Sequence, residues 1–171
     1  MSQEPQSVTA DLTFGAIAGT VATLALSGMS QLLYANESRP NRFREQWARR
    51  GQSATEVAAK KLAGAVGASP SRTQIKATEG AIHFGIGAGA GATYGAIRRH
   101  VPAPAITKGL GFGATLWLIA DEGLNPALGL TPGPADFPWQ THARGLVSHL
   151  VFGLVTEGLL SLADRYRRSE Q

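Results

Sequence analysis

The chain has 171 residues, a net charge of +4, 43% hydrophobic side chains, 21 glycines and no cysteine. That length suits one domain, and the missing cysteines exclude a disulfide framework. A mean hydropathy of -0.04 would suggest a soluble protein, but the average conceals a segregation: polar residues concentrate between Asn36 and Glu79, and the rest is apolar and small.

The first apolar segment, 12–35, is charge-free and ends on Tyr34, an interfacial type of residue. It exceeds the roughly 20 residues that cross about 30 Å of hydrocarbon at 1.5 Å per residue. A secretory signal is disfavoured, because the preceding residues carry Glu4 and Asp11 rather than Lys or Arg and the run is longer than a signal core. Two faces are readable on it. Thr13, Ala16, Thr20, Thr23, Ser27, Ser30 and Tyr34 recur in steps of three and four, a predicted packing seam, and Gly15 with Gly19 makes G-x-x-x-G on another face.

The polar segment 36–79 holds Arg39, Arg42, Arg44, Arg49 and Arg50, then Ser53-Ala-Thr-Glu56, a capping box that predicts a short surface helix from 54 to about 65. Ser69-Pro70-Ser71 lies in the turn that follows. The basic cluster reads as a solvated, headgroup-facing loop, so the expected partner is the lipid bilayer and not nucleic acid. Three further apolar segments follow at 80–97, 105–124 and 145–163. They are separated by His100-Val-Pro-Ala-Pro104 and by a proline-rich loop running to His142 that lacks Lys and Arg and carries Phe137, Pro138 and Trp139. Gly87, Gly91 and Gly95 in the second segment and Gly109 and Gly113 in the third extend the small-residue faces, through which homo-oligomers could also form.

The chain repeats itself. Gly19-Thr-Val-Ala-Thr-Leu-Ala-Leu26 is echoed by Gly111-Phe-Gly-Ala-Thr-Leu-Trp-Leu118, and His83-Phe-Gly-Ile-Gly87 by His149-Leu-Val-Phe-Gly153. The predicted fold is therefore all-α: a four-helix transmembrane bundle of two tandem helical hairpins with a surface helix in the first loop, one membrane domain over 1–171. Placing the N-terminus outside puts Arg39 to Lys76 in the cytoplasm, though Arg98, Arg99, Lys108 and Arg165 to Arg168 then lie outside.

In that topology the second and fourth helices run the same way, so His83 and His149 lie roughly 6–9 Å inside one membrane face. Asp121 and Glu122 end the third helix at that level, with Asp136 and His142 just above in the loop and Glu79 a turn before His83. Ionisable groups in hydrocarbon cost at least about 2.5–3.5 kcal/mol each and are stabilised by pairing. The candidate polar cluster is His83, His149, Asp121, Glu122, Glu79 and His142. It has three open readings: a structural lock between helices, proton or ion handling by imidazole beside carboxylate, or a metal or catalytic site. No H-E-x-x-H, G-x-S-x-G or P-loop occurs, so no catalytic residue is assigned, no cofactor is expected and enzyme activity is disfavoured. Glu157 is expected to reach toward Arg98 or Lys108 at the opposite interface.

Several stretches together carry a resemblance: Glu56-Val-Ala-Ala-Lys60, Trp117-Leu-Ile-Ala-Asp-Glu122, Asn125-Pro-Ala-Leu-Gly-Leu130, and Phe137-Pro-Trp-Gln-Thr-His-Ala-Arg-Gly145 leading into Ser148-His149-Leu-Val-Phe-Gly153. The chain resembles the YagU-like family of bacterial inner-membrane proteins of unknown function along nearly its whole length. The resemblance implies a multi-pass inner-membrane protein, tied to acid or envelope stress in some members, and transfers no catalytic residue.

Overall fold

The computed structural model describes residues 7–169, which form helices and connecting turns with no strand among them. Glu4, part of the case against a signal sequence, lies outside the described residues. Helix α1 spans Val8–Asn36, α2 Arg39–Ala48, α3 Ala54–Ala65 and α4 Arg72–Ile97. Helix α5, Ala105–Trp117, runs on through a π-helical stretch, Leu118–Leu124, into the single turn α6, Asn125–Ala127, and α7 spans Trp139–Ser169. Two of these, α1 and α7, are long and apolar enough to cross a membrane.

Local chemistry accounts for the starts. Ser38 caps α2 by accepting from the Asn41 amide, with Pro40 in the first turn where its missing N–H costs nothing. Ser53 accepts from the Glu56 amide at 3.0 Å to open α3, while the Glu56 carboxylate turns outward to Lys60, so only half of the expected capping box forms. The complete box is at Ser71 and Gln74, each side chain bonding the other's amide. It starts α4 eight residues before the apolar segment at Gly80. His142, expected in the loop, lies in the first turn of α7.

Helix α4 lies along α1, α1 along α7, and α7 along α5, so each sequence hairpin is a packed pair and the pairs join through α1 and α7. Glycine sets both intra-hairpin contacts. Gly15 and Gly19 meet the backbone of Gly87 and Gly91, and Gly95 meets that of Asp11. A Cβ added at Gly91 would lie 2.7 Å from the Gly19 Cα. In the second hairpin Gly109 and Gly113 meet the backbone at Gly153 and His149. Here the repeat misleads: the motif aligns Gly111 with Gly19, yet Gly111 has nothing near its Cα face.

The hydroxyl seam read on α1 is also corrected. The buried stripe is Asp11, Gly15, Ala18, Gly19, Ala22 and Thr23, whereas Thr13 and Thr20 face outward. Their hydroxyls donate at 2.8 Å to the carbonyls of Thr9 and Ala16 four residues back. Satisfied on their own helix, they need no partner helix.

The interior is unusually polar. Phe152, Thr23, Thr156 and Ser148 are the largest fully buried side chains, and Phe152 lies beside Phe112, which stacks on Tyr94 at 4.1 Å. At the end carrying the N-terminus of α1, buried Arg98 binds Glu157 at 3.0 Å and Asp164 at 2.7 Å, and Tyr94 donates to Glu157 at 2.7 Å. Arg99 adds Asp11 and Asp164, so three helices and the turn after α4 are tied together there. Of the two partners foreseen for Glu157, Arg98 is the one it takes.

Candidate functional site

The opposite end gathers the chemistry. The chain leaving α1 turns through α2 and α3, and α5 arrives through its π-helical stretch, so Asp121 and Glu122 stand beside the first turns of α7. A π-helix closes i→i+5 bonds and has more residues per turn than an α-helix. Successive side chains then diverge less, and Asp121 and Glu122 both line one cavity of about 160 Å³ together with Arg49, Trp117, His142 and Arg144. That volume holds several water molecules.

Inside it, His142 Nδ1 lies 2.7 Å from Glu122 Oε1 and its Nε2 lies 3.0 Å from the Pro134 carbonyl. The carbonyl only accepts, so Nε2–H donates to it. The Nδ1–carboxyl contact then requires one more proton, held by the ring or by Glu122. The pair is an imidazole–carboxyl contact at the cavity wall.

Asp121 lines the same cavity but meets a different imidazole. Its Oδ2 lies 3.6 Å from His149 Nδ1, its Oδ1 accepts from Asn125 at 3.3 Å, and 38% of its side chain is accessible, on the cavity side. His149 Nδ1 also meets the Gly145 carbonyl at 2.9 Å, which fixes the proton on that nitrogen. His83 Nε2 bonds the Ser27 hydroxyl at 3.0 Å, within electrostatic range of both His149 and Asp121. The Trp117 indole N–H, on the cavity wall, is buried without a protein partner.

Five of the six candidates thus collect at one end, in two groups: His142 with Glu122, and His149 with Asp121 and, close by, His83. Glu79, a turn before His83 on α4, joins neither group. Its carboxylate accepts from Ser53 and, at 3.4 Å, from Thr55, and ties α4 to the start of α3. Among the described residues no three His, Asp or Glu side chains are arranged to hold a metal ion.

Sequence reading missed the salt-bridge cluster beside the cavity. Arg144 donates to both oxygens of Glu45 at 2.6 Å and also bonds Glu37, while Arg49 and the Thr141 hydroxyl donate to Glu45 at 2.8 Å and 3.2 Å. Burial raises the pKa of Glu45, but the bonds from Arg144 and the charges of Arg49 and Arg144 outweigh it and hold the carboxyl below its ordinary value. The signal was present: Glu37 lies two residues past one apolar run and Arg144 directly precedes another, where charges must pair.

A family model, described as a protein of unknown function (DUF1440), matches residues 62–158, more than half the chain. The chain belongs to the DUF1440 family. The matched stretch holds all six candidate residues and the glycine faces of α4, α5 and α7, while Ser27 on α1, Glu37 in the turn after it and Glu45 on α2 lie ahead of it. No curated protein and no solved structure matches the chain.

Proposed function

We propose that this DUF1440 protein is a multi-pass protein of a bacterial inner membrane, with α1, α4, α5 and α7 all crossing as a four-helix bundle of two tandem hairpins, and with the cavity at one face exchanging protons with that side. One observation carries the membrane reading: the polarity of the packed helices is inverted. Outward positions are Leu12, Phe14, Ile17, Val21 and Leu24 on α1, Ile86 and Ile97 on α4, Ile106, Leu110, Leu118 and Ile119 along α5, and Leu154 and Leu162 on α7, all exposed. Inward positions are mostly glycine, alanine, threonine, serine and paired charges, with Tyr94, Phe152 and Leu160 the large buried exceptions. Water would penalise so continuous an apolar exterior, whereas lipid favours it and leaves helix association to close packing and internal polar bonds.

The proton reading rests on the His142 and Glu122 geometry and on Asp121 beside His149. It favours a binding cavity over a conduit, because the touching glycine backbones leave no room for water along either hairpin seam. The YagU-like kinship belongs to the same proposal, as does homo-oligomer formation, for which the outward stripe Ala81, Gly85, Gly89 and Thr93 on α4 offers a small-residue face.

Alkaline carbonate extraction of native membranes is the first test: the protein should stay in the pellet, and release to the supernatant would end the membrane reading. Infrared difference spectra between about pH 5 and 7 are the second. A carboxyl band should change in wild type and vanish in Glu122→Gln or Asp121→Asn, and a spectrum without such a band would leave the cavity a structural lock.

A further inference from the structure

Helix α2 and the loop before α7 enclose a second, larger groove of about 1190 Å³, open to the same side as the polar cavity. One wall is aromatic: Phe43 and Trp47, one turn apart and stacked at 6.3 Å, are 69% and 77% exposed. Phe137 faces them, with the Arg49 guanidinium 5.1 Å over its ring. The charged residues of the lining are mainly basic, with Arg44, Arg49 and Arg50 against one acid, Asp136. Arg49 is engaged with Glu45. Among the described residues Arg44 and Arg50 have no ion-pair partner, and both are exposed at the groove.

Arg50 adds a backbone observation. It is held at φ 51, the left-handed region, where a residue with a Cβ pays of order 1 kcal/mol and glycine or asparagine is the usual occupant. Gly51 beside it, at φ 71, completes the turn. The fold accepts strain at Arg50 and thereby delivers a guanidinium to the groove.

Resting on the membrane reading above, we infer that the groove between α2 and residues 129–138 is a binding site for an anionic phospholipid of the surrounding leaflet, its phosphate held by Arg44 and Arg50 and its acyl chain laid against Phe43 and Trp47. Charge complementarity selects an anion, and unpaired aromatics beside the arginines select one that carries hydrocarbon. Trp139, 71% exposed, lies at the same end, where indole is at home among headgroups. A free phosphate would use the arginines and leave both rings in water.

The test uses the full chain, carrying Trp139→Phe so that Trp47 is the exposed indole, in phosphatidylcholine bilayers doped with a few per cent of brominated phosphatidylglycerol or, in parallel, brominated phosphatidylcholine. Trp47 fluorescence should be quenched several-fold more by the anionic lipid. Arg44→Gln and Arg50→Gln should each cut that preference about fivefold, down to the zwitterionic level. Arg72→Gln with Lys76→Gln, basic residues of α4 away from the groove, should leave it intact. Equal quenching by the two lipids, equal loss with the α4 pair, or displacement by inorganic phosphate would each overturn the site. Recovery of the protein in the carbonate supernatant would instead overturn the membrane reading, and the lipid site with it.

Discussion

Gly91→Ala and Gly89→Ala make the same chemical change on the same helix and should shift stability in opposite directions. At Gly89 the added methyl meets nothing within 4 Å. The substitution therefore only removes a glycine from a helix, a gain of up to about 1 kcal/mol. At Gly91 the methyl would stand 2.7 Å from the Gly19 Cα, 2.8 Å from its nitrogen and closer still to the Gly15 carbonyl. Ordinary carbon contacts lie near 3.5–4.0 Å, so α1 and α4 must separate by nearly 1 Å, a gap that forfeits a quarter to a half of each contact along the seam. Overpacking of this kind costs about 1–3 kcal/mol, and backbone atoms cannot swing aside as a side chain can, which puts Gly91 at the upper end. Net of the helix gain, Gly91→Ala should lose about 2 kcal/mol, leaving a gap of about 3 kcal/mol between the variants. Unfolding in mixed micelles titrated with dodecyl sulfate, followed by helical circular dichroism, measures it. Equal midpoints, or a more stable Gly91→Ala, would refute the touching-backbone seam. Ala92 is a poorer control, because its Cα lies at the Gly15 contact.

At the far end, Glu157→Leu should cost about 3–5 kcal/mol in the same titration, because buried Arg98 loses its main partner, while adding Arg98→Met should recover most of the loss. Failure of the double variant to recover would place the effect in packing and not in charge. His83→Ala and Ser27→Ala should each destabilise modestly and combine to less than their sum, since they delete two ends of one 3.0 Å bond; strict additivity would deny the bond. Glu45 governs acid behaviour on the loop side. Its carboxyl titrates below the ordinary value when folded, so its stabilisation is complete above that ordinary value, about 4.3, and is lost as pH falls through the lower folded one. Unfolding midpoints should be flat in this contribution from pH 5 to 7 and decline below, and Glu45→Gln should lower the neutral midpoint and remove that acid decline. An unchanged acid decline in Glu45→Gln would assign it to other carboxylates.

What the sequence disclosed follows from how local each signal is. The glycine steps of four are a property of single helices, and Gly15, Gly19, Gly87, Gly91, Gly95, Gly109 and Gly113 all meet a facing backbone. The threonine steps on α1 looked equally regular and misled, because Thr13 and Thr20 satisfy their hydroxyls on their own carbonyls and so carry no information about a partner helix. Helix α2, rich in arginine and poor in apolar residues, contains no apolar run, although Ser38 and Pro40 mark its start. The start of α4 likewise lies in polar sequence without hydrophobic signal, where Ser71 and Gln74 spell a full capping box. Depth arguments brought His83, His149 and Asp121 to one level, but level is not contact. Which carboxylate met which imidazole depended on the π-helical stretch before Asn125, which no periodicity announces, and on Ser53 and Thr55, whose hydroxyls took Glu79 away from the group.

The two ends of the molecule use charge differently, and the difference bears on where function resides. At the N-terminal end of α1, Arg98, Arg99, Glu157, Asp164 and Asp11 form mutual ion pairs around the helix ends, an arrangement that locks. At the other end the groups leave capacity unspent: a His142–Glu122 contact at a cavity wall, an Asp121 open to that cavity, an indole N–H without a protein partner, and two arginines facing a groove. Between them the glycine seams hold the hairpins rigid, so a charge change at the open end has no soft path through the interior. On the proton reading proposed above, protonation there is read out locally by α2, α3 and residues 128–138, α3 being joined to that loop by Lys61, which donates to the Leu128 carbonyl at 2.7 Å. On the membrane and proton readings proposed above, a protein built this way responds at one membrane face while the opposite face stays fixed.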